Sequence, residues 1–535
     1  MHSTAGTAAD VSGLVGQNFI GGVLHDSAAT YAATSPLDGR ELPGRFCLAS
    51  LGDVEKALAA AAAAAESFAV TSAADRATFL ERIAAEIMAL GDRLLERAAA
   101  ETALPTARLT GERARTVNQL KLFAAAARED SWVDARIDRA LPDRQPLPRP
   151  DLRRMMRPIG PVVVFGSSNF PLAFSVAGGD TASALCTGNP VVVKAHRGHP
   201  GTSALVAAAI QRAVASCGLP AGTFSMLHGQ GSVVGTALVR HPATRAVGFT
   251  GSRAAGRALC DVAAARPDPI PVFAEMSSLN PVFLLPGAMA ERAGEIARGF
   301  AASMTLGVGQ FCTKPGLVFA VAGPALDAFV AGVAAAVAAV PAGSMLSADI
   351  RAAFEHGRDA AVGEAGTAVV GRGSAPPGTQ VAALVLRTDA ETFLARPRLA
   401  EEVFGPFGLL VACRTPDQLA HVARRLEGQL TATVHATAAD GGLAGDLLGV
   451  LATKAGRLIV NGWPTGVEVC PAMQHGGPWP ATSDARFTSV GGAALERFIR
   501  PVCYQDVPQP LLPAALQDDN PLGLVRLVEG VVGRH

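Results

Sequence analysis

From Pro161 onward the chain alternates short apolar runs with longer alanine-rich stretches, and few folds accept that alternation. Pro161–Phe165, Val191–Lys194, Thr223–Leu227 and Ala246–Phe249 read as buried strands. Thr202–Ser216, Val233–Val239 and Arg253–Ala265 read as the helices that follow them, with Gly218-Leu219-Pro220 closing the first. Strands separated by helices pair in parallel through crossovers, which predicts a doubly wound sheet. A helix-like segment is also expected between Asn169 and Gly188. After Glu275 a second series begins with Val282–Leu285 and a helix from Ala288. Leu317–Val321, a helix ending at Val340, Val381–Leu386, Leu409–Ala412 and Leu458–Val460 continue it. The fold class is therefore α/β, with two such layers in succession.

The regions outside this alternation differ from it. Val54–Phe68, Arg76–Leu90, Arg93–Thr102 and Gly111–Arg128 form a helical preamble, with Asp53 beside the start of the first as a candidate N-cap. Between 136 and 157, Pro142, Pro146, Pro148 and Pro150 allow edge strands or extended chain but not helix. Six segments follow. The expected cofactor-binding domain takes 1–135 and 158–280, the catalytic domain 281–478. An oligomerisation excursion at 136–157 and a tail at 479–510 flank them, and 511–535 is an extension without an assigned role.

Composition excludes several classes. Lys+Arg and Asp+Glu balance at 46 each, which leaves no basic field for nucleic acid. The eight cysteines are scattered, with no CxxC and no Cys/His metal spacing, so reduced thiols in a cytoplasmic protein are expected. Met1–Gly16 has neither a charged leader nor an apolar one, and Ala328–Val340 is too short to cross a bilayer.

Cys312 is the cysteine with the most suggestive surroundings. It sits in Gly309-Gln310-Phe311-Cys312-Thr313-Lys314-Pro315, ahead of an apolar strand. Such a turn presents a thiolate at the edge of a fold, and glycines at 307 and 309 would let backbone approach a ligand. A free cysteine is as readily a buried apolar residue. Other positions carry similar pairs of readings. Lys194 ends an apolar strand, where ligands of open α/β sheets gather, or simply meets solvent there. Arg197 offers a fork for phosphate or is a surface arginine. Phe249-Thr250-Gly251-Ser252 opens a helix whose start favours an anion, though Ser252 serves equally as a cap. Asn169 is an oxyanion donor or a turn residue. Glu275 is a general base or a solvated strand end. There is no GxGxxG after a strand.

Taken together, and in this order, these segments resemble the aldehyde dehydrogenase superfamily over roughly residues 10–505. Ser168-Asn169-Phe170-Pro171, Val193-Lys194, Phe249-Thr250-Gly251-Ser252, Glu275, Gly309-Gln310-Phe311-Cys312 and Glu401 to Pro406 carry the likeness. It implies two Rossmann-like α/β domains with a small β oligomerisation element, and a homodimer or homotetramer. It also implies Cys312 as nucleophile, Glu275 as general base, and Asn169 with the Cys312 N–H as oxyanion donors. Lys194 would hold the adenosine ribose, Gly251 and Ser252 the pyrophosphate, Glu402 the nicotinamide ribose, and Phe404 would lie beside the nicotinamide. Phe170, Phe311, Trp463 and Val467 would face the substrate. No metal is implied.

Three departures refine the expectation. Met276-Ser277-Ser278 follows Glu275 where most members have Leu-Gly-Gly, and Gly178 stands where many have a lysine. The run from Asn169 to Asp180, Lys194 to Pro200, and His475 to Ser483 resemble the 2,5-dioxopentanoate (α-ketoglutarate semialdehyde) dehydrogenase branch. Arg197 replaces the glutamate that NAD-preferring members often carry. A guanidinium would bind a 2′-phosphate that a carboxylate repels, so NADP is the expected cofactor, with NAD possible. The expected substrate is a small-molecule aldehyde, with no nucleic acid or membrane partner. Fatty or aromatic aldehydes on the same scaffold are the alternative, and a catalytically silent homologue is a third reading.

Overall fold

A computed structural model describes residues 16–375 and 378–534. The leader features sought in Met1–Gly16 therefore lie, but for Gly16, outside the described residues. The first sheet has seven strands in the order Val272–Glu275, Ala246–Thr250, Val162–Phe165, Val191–Lys194, Phe224–Leu227, Asn18–Ile20 and Val23–His25. The first five run parallel, and the last two add antiparallel at one edge. Side chains alternate across a strand, and the consequence is visible here. Val162, Val164, Val191 and Val193 enter one core, while Val163, Phe165 and Val192 enter another on the opposite face. Helices Ala73–Ala89, Thr106–Glu129 and Pro200–Ser216 cover the first face. Such two-sided burial is why these strands are continuous apolar runs without alternation.

The second sheet also has seven strands, in the order Ala368–Arg372, Leu384–Asp389, Phe407–Cys413, Leu317–Val321, Val282–Leu284, Gln429–His435 and Ala455–Val460. All its pairings are parallel except the first. Two local expectations need correction. Val381–Leu386 is not one strand: Gln380–Val381 pairs with Gly343–Ser344, and Leu384–Asp389 joins the large sheet. The helix expected after Asn169 begins only at Gly179, because the segment before it turns back to place Asn169 and Phe170.

A five-stranded sheet joins Ile499–Gln505, Leu152–Pro158, Arg136–Asp138, Arg526–Val528 and Val531–Gly533. The C-terminal extension thus has a structural account that its sequence did not suggest. Its hairpin pairs with Arg136–Asp138, and Leu512, Leu516 and Val528 pack on Val133, Ile137 and Met155. Arg153 ties the layers by donating to the Leu516 carbonyl and to Asp151 and Asp518.

Both large sheets aim an edge at the same place. Neighbouring strands of the first sheet end in register, with Thr250 opposite Glu275 and Phe165 opposite Lys194. Their carboxyl ends therefore deliver Glu275, Gly251-Ser252, Asn169 and Lys194 along one row. The second sheet contributes its amino edge, where Cys312 precedes Leu317–Val321 and Gly405 precedes Phe407–Cys413.

Candidate active site

The Cys312 loop is held from several sides. Leu306–Gly309 is a tight turn in which Gly307, Val308 and Gly309 all have positive φ. Contrary to the expectation from sequence, the two glycines do not make room for a ligand. A Cβ on Gly309 would meet the Gly405 carbonyl at 2.3 Å, and one on Gly307 would meet the Phe311 ring at 2.6 Å. They let two protein segments touch, so the Gly405-Pro406 turn braces the cysteine loop. Asn280 donates to the Cys312 carbonyl (2.8 Å) and the Lys314 carbonyl (2.9 Å). Lys314 Nζ, buried, donates to the carbonyls of Val403 (3.1 Å) and Phe407 (2.9 Å), and burial pushes its pKa down to about 8.

Three side chains converge here from positions far apart in sequence. His475 Nε2 lies 3.4 Å from Cys312 Sγ and 2.9 Å from Glu275 Oε1. Ser489 donates to the other Glu275 oxygen. The sulfur, imidazole nitrogen and carboxylate oxygen are all within 4.8 Å of one another, a grouping that no spacing in the sequence announces. Burial raises the Cys312 thiol well above the ordinary range, and the Glu275 charge adds to this while Arg115 opposes it. Burial also acts to raise Glu275, but His475, Ser489 and the thiol outweigh it and hold the carboxyl below its usual value. The ground state is thus a thiol beside a carboxylate already charged to receive its proton.

Asn169 is buried, and its Nδ2 donates to the Gln310 carbonyl at 3.1 Å. One of its two N–H groups is fixed beside the loop and the other remains to donate. Phe170 and Phe311 meet edge to face at 5.4 Å, and Phe174 adds a third ring at 5.2 Å from Phe170. Trp463 does not join this wall. It packs on Phe300 and on His435, at the carboxyl end of its strand, as part of the layer covering the second sheet. Val467 lies half-buried in a loop whose Pro464 and Gly466 carbonyls accept from Arg457.

The departures from the general pattern have structural causes. A Cβ at Gly178 would lie 2.7 Å from the Ala173 carbonyl, with Phe174 Cα and Ser175 N at 2.8 Å, so no lysine fits there. Ser278 Oγ accepts from Leu430 N and shares its one hydroxyl proton between Gln429 Oε1 (3.1 Å) and Asn280 Oδ1 (3.0 Å), pinning the crossover between the two sheets. Ser277 Oγ accepts from Arg253 N.

Of the residues expected to hold the cofactor, Lys194, Arg197, Gly251 and Ser252 lie at or just past strand ends on the first sheet's carboxyl edge, and Glu402 and Phe404 precede Phe407–Cys413 at the second sheet's amino edge. Burial brings the Lys194 ammonium down to about 8, helped by Arg197. Arg197 is exposed, its guanidinium 5.9 Å from the Tyr31 ring. Ser252 caps Arg253–Ala264 by accepting from Ala255 N, and that helix has no acid in its first turn. A Cβ on Gly251 would collide with the Phe249 ring at 2.6 Å. Glu402, half-buried, is raised to about 6 by burial, against the pull of Lys314 and the Ser277 and Ser278 donors. Phe404 is half-buried next to it. A helix start free of acids, on the same sheet edge as Lys194, suits a dinucleotide phosphate chain.

Comparison with known proteins agrees with this geometry. The aldehyde dehydrogenase family model matches residues 23–478. The chain is 55% identical to alpha-ketoglutaric semialdehyde dehydrogenase 2 of Azospirillum brasilense, over 97% of this chain and 99% of the other. It is 46% identical to the alpha-ketoglutaric semialdehyde dehydrogenase of Acinetobacter baylyi, with the same coverages. Betaine aldehyde dehydrogenase from Staphylococcus aureus, solved with NAD+, shares the fold at a TM-score of 0.80 and 21% identity, covering 93% of this chain and 96% of that one.

Proposed function

The chain belongs to the aldehyde dehydrogenase family, and on that premise we propose that it oxidises 2,5-dioxopentanoate to 2-oxoglutarate with NADP as the preferred acceptor. The observation that carries the chemistry is the contact of Cys312 Sγ with His475 Nε2 at 3.4 Å, with Glu275 bonded to the same nitrogen at 2.9 Å. The substrate follows from the relatives at 55% and 46% identity, both named for this semialdehyde.

In the proposed sequence Glu275 takes the proton of the Cys312 thiol, and the thiolate attacks the aldehyde carbon. The free N–H of Asn169 and the Cys312 N–H stabilise the resulting alkoxide. When bound, the nicotinamide supplies the hydride acceptor that turns the thiohemiacetal into a thioester. Glu275, once it has released that proton to solvent, takes a proton from the water that attacks the thioester, and the carbon–sulfur bond breaks to free the acid and return the proton to Cys312. His475 steadies the carboxylate in both steps by holding Oε1. Lys194 and Arg197 hold the adenosine ribose and its 2′-phosphate, with Tyr31 stacking under the guanidinium to fix the fork. Gly251, Ser252 and the helix start take the pyrophosphate, and Glu402 with Phe404 the nicotinamide riboside.

The aromatic wall of Phe170, Phe174 and Phe311 favours a second reading, a fatty or aromatic aldehyde. The test is kcat/KM for 2,5-dioxopentanoate against hexanal, with both cofactors. The proposal expects the dioxo acid and NADP to be preferred, and Arg197→Glu to shift the cofactor ratio toward NAD at least tenfold, roughly the value of one phosphate contact. Preference for hexanal would overturn the substrate, and an unmoved cofactor ratio the role of Arg197.

A further inference from the structure

Helix Thr106–Glu129 turns one face toward the site, carrying Arg108, Glu112 and Arg115 at positions i, i+4 and i+7. Two of the three have structural duties there. Glu112 accepts the N–H groups of Leu172 (2.8 Å) and Ala173 (3.0 Å), which locks the helix to the segment following Asn169. Arg108 donates to the Asn169 carbonyl at 2.6 Å and lies over the rings of Phe170 and Phe311, at 5.1 and 4.8 Å. Arg115 has no such duty. Its guanidinium lies over Phe170 at 5.6 Å and Phe174 at 5.2 Å, within Coulombic reach of Cys312, Glu112, Glu275 and Glu468. It hydrogen-bonds none of these four. Its Nε and Nη2 are buried and donate to no group among the described residues.

Those two atoms are informative as a pair. Nε–H and Nη2–H lie parallel on one edge of the guanidinium, the edge that fits a carboxylate with two bonds. A buried cation whose paired donors are unused normally costs stability. Arg457, the other arginine whose charge reaches Cys312, spends both terminal nitrogens on the Pro464 and Gly466 carbonyls. Among these arginines only Arg115 keeps a complete edge without a partner against the aromatic wall.

We propose that Arg115 is the carboxylate subsite of this enzyme, binding the acid end of a short ω-oxo acid side-on while its aldehyde reaches Cys312 between Phe170 and Phe311. The subsite rests on the substrate reading above and assigns it a residue. It also explains how an aromatic entrance serves an anionic substrate: the rings line the carbon chain and the arginine takes its end.

The test is the ratio of kcat/KM for 2,5-dioxopentanoate to that for hexanal in wild type, Arg115→Gln and Arg115→Lys. We expect the ratio to fall roughly 100-fold in R115Q, mostly through KM, because a buried carboxylate has lost its charged partner. In R115K it should fall about tenfold, since the charge remains and the two-bond edge does not. Unchanged ratios in a wild type that prefers the dioxo acid would overturn the subsite and leave the substrate reading standing. A wild type that prefers hexanal would overturn both. Should neither variant fold, competition in wild type decides: glutarate must compete with hexanal, and its failure to do so at saturation would overturn the subsite.

Discussion

At the scale of single residues, reactivity depends on a thiol kept protonated until a carboxylate takes its proton. Burial and Glu275 hold the Cys312 thiol above its ordinary value of 9.0. A raised thiol pKa means that the thiolate fraction keeps growing as pH rises past that value. Iodoacetamide alkylation of Cys312 should therefore still be accelerating at pH 9.0, and a plateau reached earlier would contradict the environment described. His475→Ala removes the donor that steadies Glu275 Oε1. We expect kcat to fall about 100-fold, at the low end for a group assisting proton transfer, with little change in the Kd for NADP. Cys312, Glu275 and Asn169 each carried a bland reading at a turn or strand end, and only the family resemblance of the segments taken together singled them out. His475 was visible only as part of a longer likeness, and its place beside the sulfur depends on a loop that returns 163 residues later. Arg115 was not legible at all, since nothing local separates it from the solvated arginines of a polar helix.

At the scale of elements, buried carboxylates join helices that propensity alone would leave independent. Glu101 is fully buried, pairs with Arg97 at 2.8 Å, and accepts from Gly201 N, Thr202 N and Thr202 Oγ1 at the start of Pro200–Ser216. It caps one helix from the end of another. Glu101→Ala leaves Arg97 buried without its partner and should cost about 3–5 kcal/mol of stability, read as a lower urea midpoint. A loss below about 1 kcal/mol, the range of an exposed pair, would show that this contact does not matter. The helices themselves were readable from alanine-rich runs, but the N-cap of the first is Ser50 and not the expected Asp53, which sits at N3 and completes a capping box with it. Sequence placed many of the strands but missed Gln429–His435 within the second sheet and Ala368–Arg372, Asn18–Ile20 and Val23–His25 toward the sheet edges, and it joined Val381 to Leu384, which part to serve different sheets. Strand periodicity cannot report which neighbour a strand pairs with.

At the scale of the whole molecule, the two large sheets were foreseeable from the alternating pattern, while the third was expected only from the family resemblance, as a small β element of 136–157 and the tail from 479, without the hairpin at 526–533. Its strands come from residues 136–158 and 499–533, too short and too polar to show periodicity, and they meet only because the chain ends return to each other. The hairpin Arg526–Val528 and Val531–Gly533 leaves Val531 57% and Val532 69% exposed, with Leu522 and Val525 nearby at 52% each. Exposed apolar groups gathered on one sheet edge favour contact with another chain. We propose that this sheet is a contact between copies. Val532→Glu should then lower the molar mass measured by light scattering, and an unchanged mass would remove the hairpin from that contact.

The proposed chemistry meets its most direct test in a single turnover, with enzyme in excess over 2,5-dioxopentanoate and NADP present. Wild type should form one equivalent of NADPH per substrate. Cys312→Ala, still binding NADP, should form none above the uncatalysed rate. NADPH formed by the alanine variant at a rate near wild type would mean that the sulfur is not the nucleophile.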